Sequence, residues 1–127
     1  MIKSALFVTL EAKPGKEQEV EQFLKDGLRE IECEADTISW YAIRTGFSTF
    51  AIFDTFPGDQ GRQKHLTGEV AKALMAKASQ LLVHSPSVEK ADVLAAKMPD
   101  VHGDGALNES GSKWARRLAR QEELDLV

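Results

Sequence analysis

A histidine, an arginine and several aromatic residues are the side chains of this 127-residue chain that could do chemistry. The imidazole of His65 titrates near neutral pH and can take up or release a proton. Arg44 can stabilise a negatively charged oxygen, such as that of an enolate or a phenolate. Trp40 and Tyr41 are neighbours, so on a regular strand one ring can line a ligand cavity while the other seals a subunit contact. A base, a dry aromatic cavity and a cation together can ionise an electron-rich aromatic compound.

Each of these residues also has a purely structural interpretation. His65 can be a partly exposed histidine bonded to backbone or water, and the two neighbouring aromatic residues can simply fill the core. Arg44 can be a solvated residue at a strand end. Asp54 shares a strand face with apolar side chains, and we expect it to pair with Arg44 or Arg62 in a structural role.

Other kinds of site find little support in the sequence. His65, His84 and His102 lack the close spacing of metal ligands, and no paired-cysteine or glycine-rich phosphate motif occurs, so we expect no metal and no cofactor. A net charge of −4 without a basic stripe argues against a nucleic-acid partner. The apolar stretches are too short to span a membrane. The single cysteine, Cys33, is consistent with a reducing, cytoplasmic location.

The apolar periodicity predicts a strand–helix–strand–strand–helix–strand order within residues 1–97. The last strand is expected to place Ala91, Val93 and Ala95 on its better buried face. The fold class is therefore α+β, with an antiparallel four-stranded sheet and helices on one face. The predicted segments are a strand at 6–12, a helix at 16–33, a hairpin of 37–45 and 49–56, a helical region at 60–82 bent near 67–68, and a strand at 88–96.

The strands carry apolar residues on both faces, and this pattern bears on the oligomeric state. One layer of helices covers only one face of a sheet, so we expect a second copy of the chain to cover the other in a homodimer. Residues 98–127 differ in character, since a proline and three glycines precede a short segment that Ser112 can cap as a helix. We expect them to form a linker and a helical tail that docks on the body or the partner subunit, or remains frayed.

Over about residues 3–97, the sequence resembles the antibiotic biosynthesis monooxygenase family of dimeric α+β barrels. The resemblance lies in LFVTLEAKPGK at 6–16, the Glu-rich helix that follows, the aromatic hairpin, and the pair His65-Leu66. It implies a ferredoxin-like βαββαβ subunit, two sheets joined in a dimer, and a pocket between sheet and helices.

The resemblance also implies roles for particular residues. His65 would lie near the pocket and remove a phenolic proton, with Arg44 as the second catalytic residue. The family often has another histidine in a Thr-Pro-His run, but here the equivalent stretch is 67–70, TGEV, so a mechanism that needs both is not expected. The expected contacts of a small aromatic substrate are Trp40, Tyr41, Phe50 and Leu66.

Three functions follow from the resemblance. The first is a cofactor-independent monooxygenase acting on a small aromatic or quinol-like substrate. The second is a non-catalytic dimer that binds a small molecule or serves as an interaction module. The third, haem degradation, needs the family's Asn, Trp and His set, and the corresponding positions here hold no match at 7–9, at His65 or at Met75.

Overall fold

Seven helices and strands follow one another in a computed structural model that describes residues 1–99 of the chain. Residues Met1–Leu94 form one compact unit. The order predicted from the sequence is confirmed, and the bent helical region is two helices that meet at residues 67–68. The tail predicted at 98–127 lies outside the described residues from residue 100 onward. The elements are β1 (Ser4–Glu11), α1 (Glu17–Glu32), β2 (Ser39–Arg44), β3 (Thr49–Phe56), α2 (Asp59–Leu66), α3 (Glu69–Leu81) and β4 (Ser87–Asp92).

The turn between β1 and α1 shows how local sequence positions the first helix. Gly15 adopts a φ of +86°, which glycine reaches without steric penalty. Its N–H donates a hydrogen bond to Oε1 of Glu17 in the first turn of α1. From there Val20, Leu24 and Ile31 recur at helical spacing and are buried. The helix therefore lies with this apolar side on the sheet.

The sheet is antiparallel with the strand order β2-β3-β1-β4, which is the ferredoxin-like arrangement expected from the sequence. Its register places residues of β1 and β3 directly opposite one another. Leu6 faces Asp54, and Leu10 faces Phe50, and all four are almost fully buried beneath the helices. The core therefore lies between this face of the sheet and the helical layer.

The other face of the sheet is uncovered in the single chain. Tyr41, Phe53 and Phe7 face one another across β2, β3 and β1 in one continuous row. Their exposed fractions are 55%, 38% and 37%, whereas Phe50 on the covered face is 2% exposed. The sequence expectation that the strands are apolar on both faces is therefore confirmed.

The last strand differs from its expectation. It ends at Asp92 rather than residue 96, and all six of its residues are exposed. Ala91 and Ala95 are exposed and Val93 is half-buried, so the prediction of a buried face on this strand was wrong. The reason is position, since β4 is an edge strand and the helices that pack on the sheet do so against β1, β2 and β3.

Candidate functional site

A cleft between α1 and β2 brings together most of the residues expected to contact a ligand. Its volume is about 450 Å³, and its lining includes Trp40, Tyr41, Arg44 and Phe50 from the hairpin. The facing wall comes from α1, which contributes two leucines and a carboxylate that sequence reasoning did not single out. These α1 residues are Leu24, Leu28 and Glu21. We call this the α1–β2 cleft.

Strand register explains which hairpin side chains face this cleft. Trp40 pairs with Asp54 and Arg44 with Phe50, so both lie on the sheet face covered by helices. Tyr41 borders the cleft, but its side chain points to the opposite, uncovered face because alternate residues of a strand do so. The expectation that Trp40 and Tyr41 point to opposite faces is confirmed.

Arg44 is held at the rim of the α1–β2 cleft by several partners. Its Nη1 lies 3.2 Å from Oε1 of Glu21, and its Nε donates to the carbonyl of Gly46. The guanidinium carbon lies 5.1 Å from the centre of the Phe50 ring and 5.6 Å from that of Phe47, within the range of cation–π attraction. A fixed cation therefore stands beside an apolar cavity.

Trp40 contributes an unusual polar group to the same wall. Its ring packs half-buried against the core, and its Nε1 is buried without a hydrogen-bond partner. An indole N–H can only donate, and a buried donor without an acceptor costs about 1–3 kcal/mol. This atom is therefore a candidate for hydrogen bonding to an oxygen acceptor.

His65 lies on α2 and outside the lining of the α1–β2 cleft. It is 9% exposed, with its ring centre 5.4 Å from that of Phe56. Its Nδ1 lies 2.7 Å from Oε1 of Glu34, and its Nε2 lies 2.8 Å from Oδ2 of Asp54. The structure therefore separates His65 from Arg44, the other residue expected to be catalytic.

Asp54 has a different partner from the one expected. It pairs with His65 rather than with Arg44 or Arg62, so those two expectations were wrong. Arg62 instead donates from Nη1 to the carbonyls of Ala5 and Ala91. The reason is topological, because α2 turns His65 inward over β3 while Arg62 reaches β1 and the edge strand β4.

The contact between Asp54 and His65 is an ion pair more than an aligned hydrogen bond. Both carboxylate oxygens of Asp54 are buried without a well-directed donor, even though Nε2 of His65 is only 2.8 Å from one of them. The charge of Asp54 is thus neutralised while its hydrogen-bonding capacity is incompletely used.

The protonation of His65 follows from its surroundings. Burial by itself lowers the pKa of His65, but hydrogen bonding and charge attraction to Asp54 and Glu34 outweigh burial and raise the pKa above 6.5. The positive, imidazolium form of His65 is therefore favoured, with both ring nitrogens close to carboxylates. In that form it cannot accept a proton.

A second cleft of about 380 Å³ lies beside His65, between α2 and the segment that follows α1. Its lining includes Glu34, Lys64 and Cys33, of which Cys33 is exposed. Leu66, expected to touch a ligand, is half-buried at the end of α2 and does not line the α1–β2 cleft. Of the candidate residues, His65 thus lines this second cleft, and Leu66 lines neither.

Residues 1–99 hold neither a cluster of metal ligands nor a helix able to span a membrane. No group of three or more His, Cys, Asp or Glu side chains in this part of the chain is placed to hold a metal ion. None of its helices is both long and apolar enough to cross a membrane.

Comparisons with known proteins place the fold among solved structures. No protein-family model and no curated protein matches the chain. NE2512 from Nitrosomonas europaea, a protein of unknown function, is 49% identical with a TM-score of 0.77, over 79% of this chain and 97% of that one. Rv0793 from Mycobacterium tuberculosis is 12% identical with a TM-score of 0.68, over 76% and 99%. A structure described as an antibiotic biosynthesis monooxygenase is 12% identical with a TM-score of 0.63, over 72% and 99%.

These likenesses carry different weight. At 12% identity, Rv0793 and the monooxygenase structure show a common fold, which confirms the ferredoxin-like subunit implied by the resemblance in the sequence. At 49% identity over nearly its whole length, NE2512 is a relative. The chain belongs to one family with NE2512 and has the fold of the antibiotic biosynthesis monooxygenases.

Proposed function

We propose that this protein binds a small hydroxylated aromatic compound of the phenol or hydroquinone type in the α1–β2 cleft and oxygenates it without a bound cofactor. The observation that carries the proposal is the Arg44 guanidinium, held 5.1 Å from the Phe50 ring at the rim of this cleft. A flat aromatic ligand can pack against Trp40, Phe50 and Leu24 while its oxygen approaches Arg44.

In this reaction the protein has to bind the substrate and to stabilise its negative charge. Arg44 favours the ionised form of the ligand, because a cation beside a phenolate lowers the pKa of that phenol. The anion then passes electrons to dioxygen. For an anthrone-type substrate the ring methylene becomes a carbonyl, so one oxygen atom enters the product and the other leaves as water. The substrate supplies all the electrons, and no external reductant is needed.

A second function is favoured by the position of His65. Because that imidazolium lies outside the α1–β2 cleft, it is not a base for a ligand there. Glu21, the carboxylate at the rim, is paired with Arg44. A protein that binds the aromatic compound without converting it would have this arrangement, so non-catalytic binding is the alternative.

We also propose that two copies of the chain associate through the uncovered face of the sheet. The row of Phe7, Phe53 and Tyr41 crosses three strands with an aromatic residue on each, and Glu89 of β4 lies next to Phe7 at its end. A contiguous apolar surface of this kind favours burial against an identical surface related by a two-fold axis. The single exposed thiol, Cys33, is compatible with work in the reducing cytoplasm.

Ligand binding tests the assignment of the α1–β2 cleft. We expect hydroquinones and anthrones to bind in calorimetry, and Arg44→Gln to weaken binding at least roughly tenfold, because a hydrogen bond to a charged group contributes about 1.5–3 kcal/mol. Oxygen uptake with the same compounds, without added flavin or metal, distinguishes the oxygenase from the binder.

Arg29→Gln is the matched control for that experiment. Arg29 is an exposed arginine in the last turn of α1 and does not line the cleft. Its replacement removes the same charge and should leave the affinity unchanged. An equal loss of affinity in both variants would contradict the proposal, provided that circular dichroism shows both variants folded. Absence of binding by every compound of the panel would also contradict it.

A further inference from the structure

Two buried polar groups without aligned partners occupy facing positions on the covered side of the sheet. One is Nε1 of Trp40 on β2, and the other is the carboxylate of Asp54 on β3. The indole N–H can only donate, whereas an ionised carboxylate can only accept. Each group therefore supplies what the other lacks.

Their positions in the sheet allow contact. Directly opposed residues of an antiparallel pair have Cβ atoms about 5 Å apart, and their side chains project from the same face. Asp54 is fully buried and cannot turn to bulk water, and Nε1 of Trp40 is also shielded. A hydrogen bond between them would satisfy both groups, which are otherwise each destabilising by about 1–3 kcal/mol.

We propose that Trp40, Asp54 and His65 form one buried hydrogen-bonded chain, through which the protonation state of His65 sets the position of the Trp40 indole in the α1–β2 cleft. The chain of contacts runs from Glu34, in the cleft beside α2, through the ring of His65 to Asp54 and on to the indole. It would connect the two cavities, which share no lining residue. The part of this inference that concerns ligands rests on the proposed function.

The coupling follows from the number of donors on His65. Protonated His65 has two N–H groups, of which Nδ1 donates to Glu34 and Nε2 lies 2.8 Å from Oδ2 of Asp54. Neutral His65 keeps only one donor and no charge. Glu34, whose side chain is 22% exposed, can then turn to water, but Asp54 cannot. Neutral His65 can keep its one N–H toward Asp54 but no longer offsets the charge of that carboxylate. Asp54 then depends more on the indole N–H, and this hydrogen bond shortens.

The other charged groups around His65 also bear on its titration. From β3 it faces Asp54, and from the segment after α1 it faces Glu34. Lys64 of its own helix is engaged with Asp36 at 3.1 Å. The remaining titratable groups that line the adjoining cleft are Glu30, Cys33 and Glu69. The excess of carboxylates keeps the positive form of His65 favoured.

Nuclear magnetic resonance of the ligand-free protein tests the chain directly. The indole N–H signal of Trp40 is distinguished from that of Trp114 by its loss in Trp40→Phe. We expect this signal to move downfield as pH rises, with the same midpoint as the ring signals of His65. His65→Gln should abolish the inflection, and Asp54→Asn should move the indole signal upfield at every pH, because a neutral acceptor binds the N–H less strongly.

Lys64→Gln is the matched control, since it changes a charge on the same helix and breaks only the exposed pair with Asp36. It should leave the indole titration in place. An indole signal in the wild type that does not follow His65 overturns the inference, and so does an inflection that persists in His65→Gln. The wild-type titration requires no variant, so it tests the proposed chain even where Asp54→Asn fails to fold.

Ligand binding then separates this inference from the proposed function. If a hydroquinone binds, we expect its affinity to fall as pH rises through the His65 midpoint, because the indole N–H is then committed to Asp54. Affinity that does not respond to this midpoint overturns the ligand-dependent part. If no compound binds but the indole titrates with His65, the proposed function fails and the buried chain stands.

Discussion

At the scale of single residues, the main feature is an imidazolium between two carboxylates. Removing one partner of a buried ion pair is strongly destabilising, by about 3–5 kcal/mol, because the other charge remains buried and unpaired. Here Asp54 is the charge that would be left, since it is fully buried and His65 is its ion-pair partner. His65 therefore has a structural role whatever its part in ligand binding.

The stability of the protein should depend on pH through His65. Because the pKa of His65 is raised in the folded state, its pairing stabilises the fold fully below the unfolded value near 6.5. That contribution is lost as pH rises through the raised folded value. In urea titrations, we expect the free energy of unfolding of the wild type to fall, relative to that of His65→Gln, as pH rises above about 6.5.

His84→Gln provides the control for this pH dependence. His84 also has a carboxylate neighbour, with Nε2 3.4 Å from Oε2 of Glu11, but its side chain is 63% exposed. An exposed pair of this kind contributes little. In His84→Gln the free energy of unfolding should therefore depend on pH as it does in the wild type. Loss of this pH dependence in His84→Gln but not in His65→Gln would contradict the assignment.

The sequence predicted some of these residue roles and missed others for a physical reason. Trp40, Arg44 and Phe50 share a cleft as expected, because strand alternation fixes which side chains share a face. Asp54 was already conspicuous as a charge among apolar neighbours. Its partner was not predictable, since Glu34, Asp54 and His65 come from three different parts of the fold and no sequence spacing relates them.

At the scale of elements, α2 is positioned by close approach to the segment after α1. A Cβ built on Gly61 would lie 3.0 Å from Cβ and 3.2 Å from the carbonyl oxygen of Asp36. The pairs Lys64–Asp36 and His65–Glu34 join the same two parts of the chain. The absence of a side chain at Gly61 is thus what allows His65 to reach Glu34.

The same substitution at two helical glycines should have opposite effects. Gly61→Ala forces the chain at Asp36 to shift, and we expect it to lower the free energy of unfolding by about 1–3 kcal/mol. Gly27→Ala in α1 meets Val70 at 3.6 Å, an ordinary contact, and should raise it by about 0.5–1 kcal/mol through helix propensity. Urea unfolding of both variants tests this pair, and destabilisation by both would contradict it.

The elements themselves were largely predictable, with one exception. Apolar periodicity predicted β1, α1, the hairpin and the bend before α3, since those segments each bury one face against a neighbour. It failed on β4, where alternating small apolar residues indicated a buried face. Burial there depends on which elements lie over the strand, and the sequence pattern of β4 carries no information about its neighbours.

At the scale of the whole molecule, the uncovered sheet face governs association. Half-exposed aromatic side chains lie on it, whereas the side chains of β1 and β3 on the covered face are almost completely buried. Helices therefore cover one face of the sheet, and in our proposal a second copy of the chain covers the other. Periodicity predicted the apolar character of both faces but gives no oligomeric state.

Sedimentation tests the proposed dimer. We expect the wild type to sediment as a dimer at micromolar concentration and Phe53→Lys to sediment as a folded monomer, because a charge at the centre of the row is costly to bury. Met75→Lys is the control, since Met75 is an apolar residue of α3 with 59% exposure away from this face. A wild-type monomer, or equal dissociation of both variants, would refute the proposal.

Arg62 gives the outer strand an attachment that its own side chains do not provide. From α2, its Nη1 binds the carbonyls of Ala5 and Ala91, which face each other across β1 and β4, while Nη2 binds Asp59 and lowers the pKa of that carboxyl. Because no helix packs over β4 in the described part of the chain, this guanidinium is the link between helical layer and sheet edge. Peeling of the edge and displacement of α2 should consequently occur as one cooperative event rather than as independent local fluctuations.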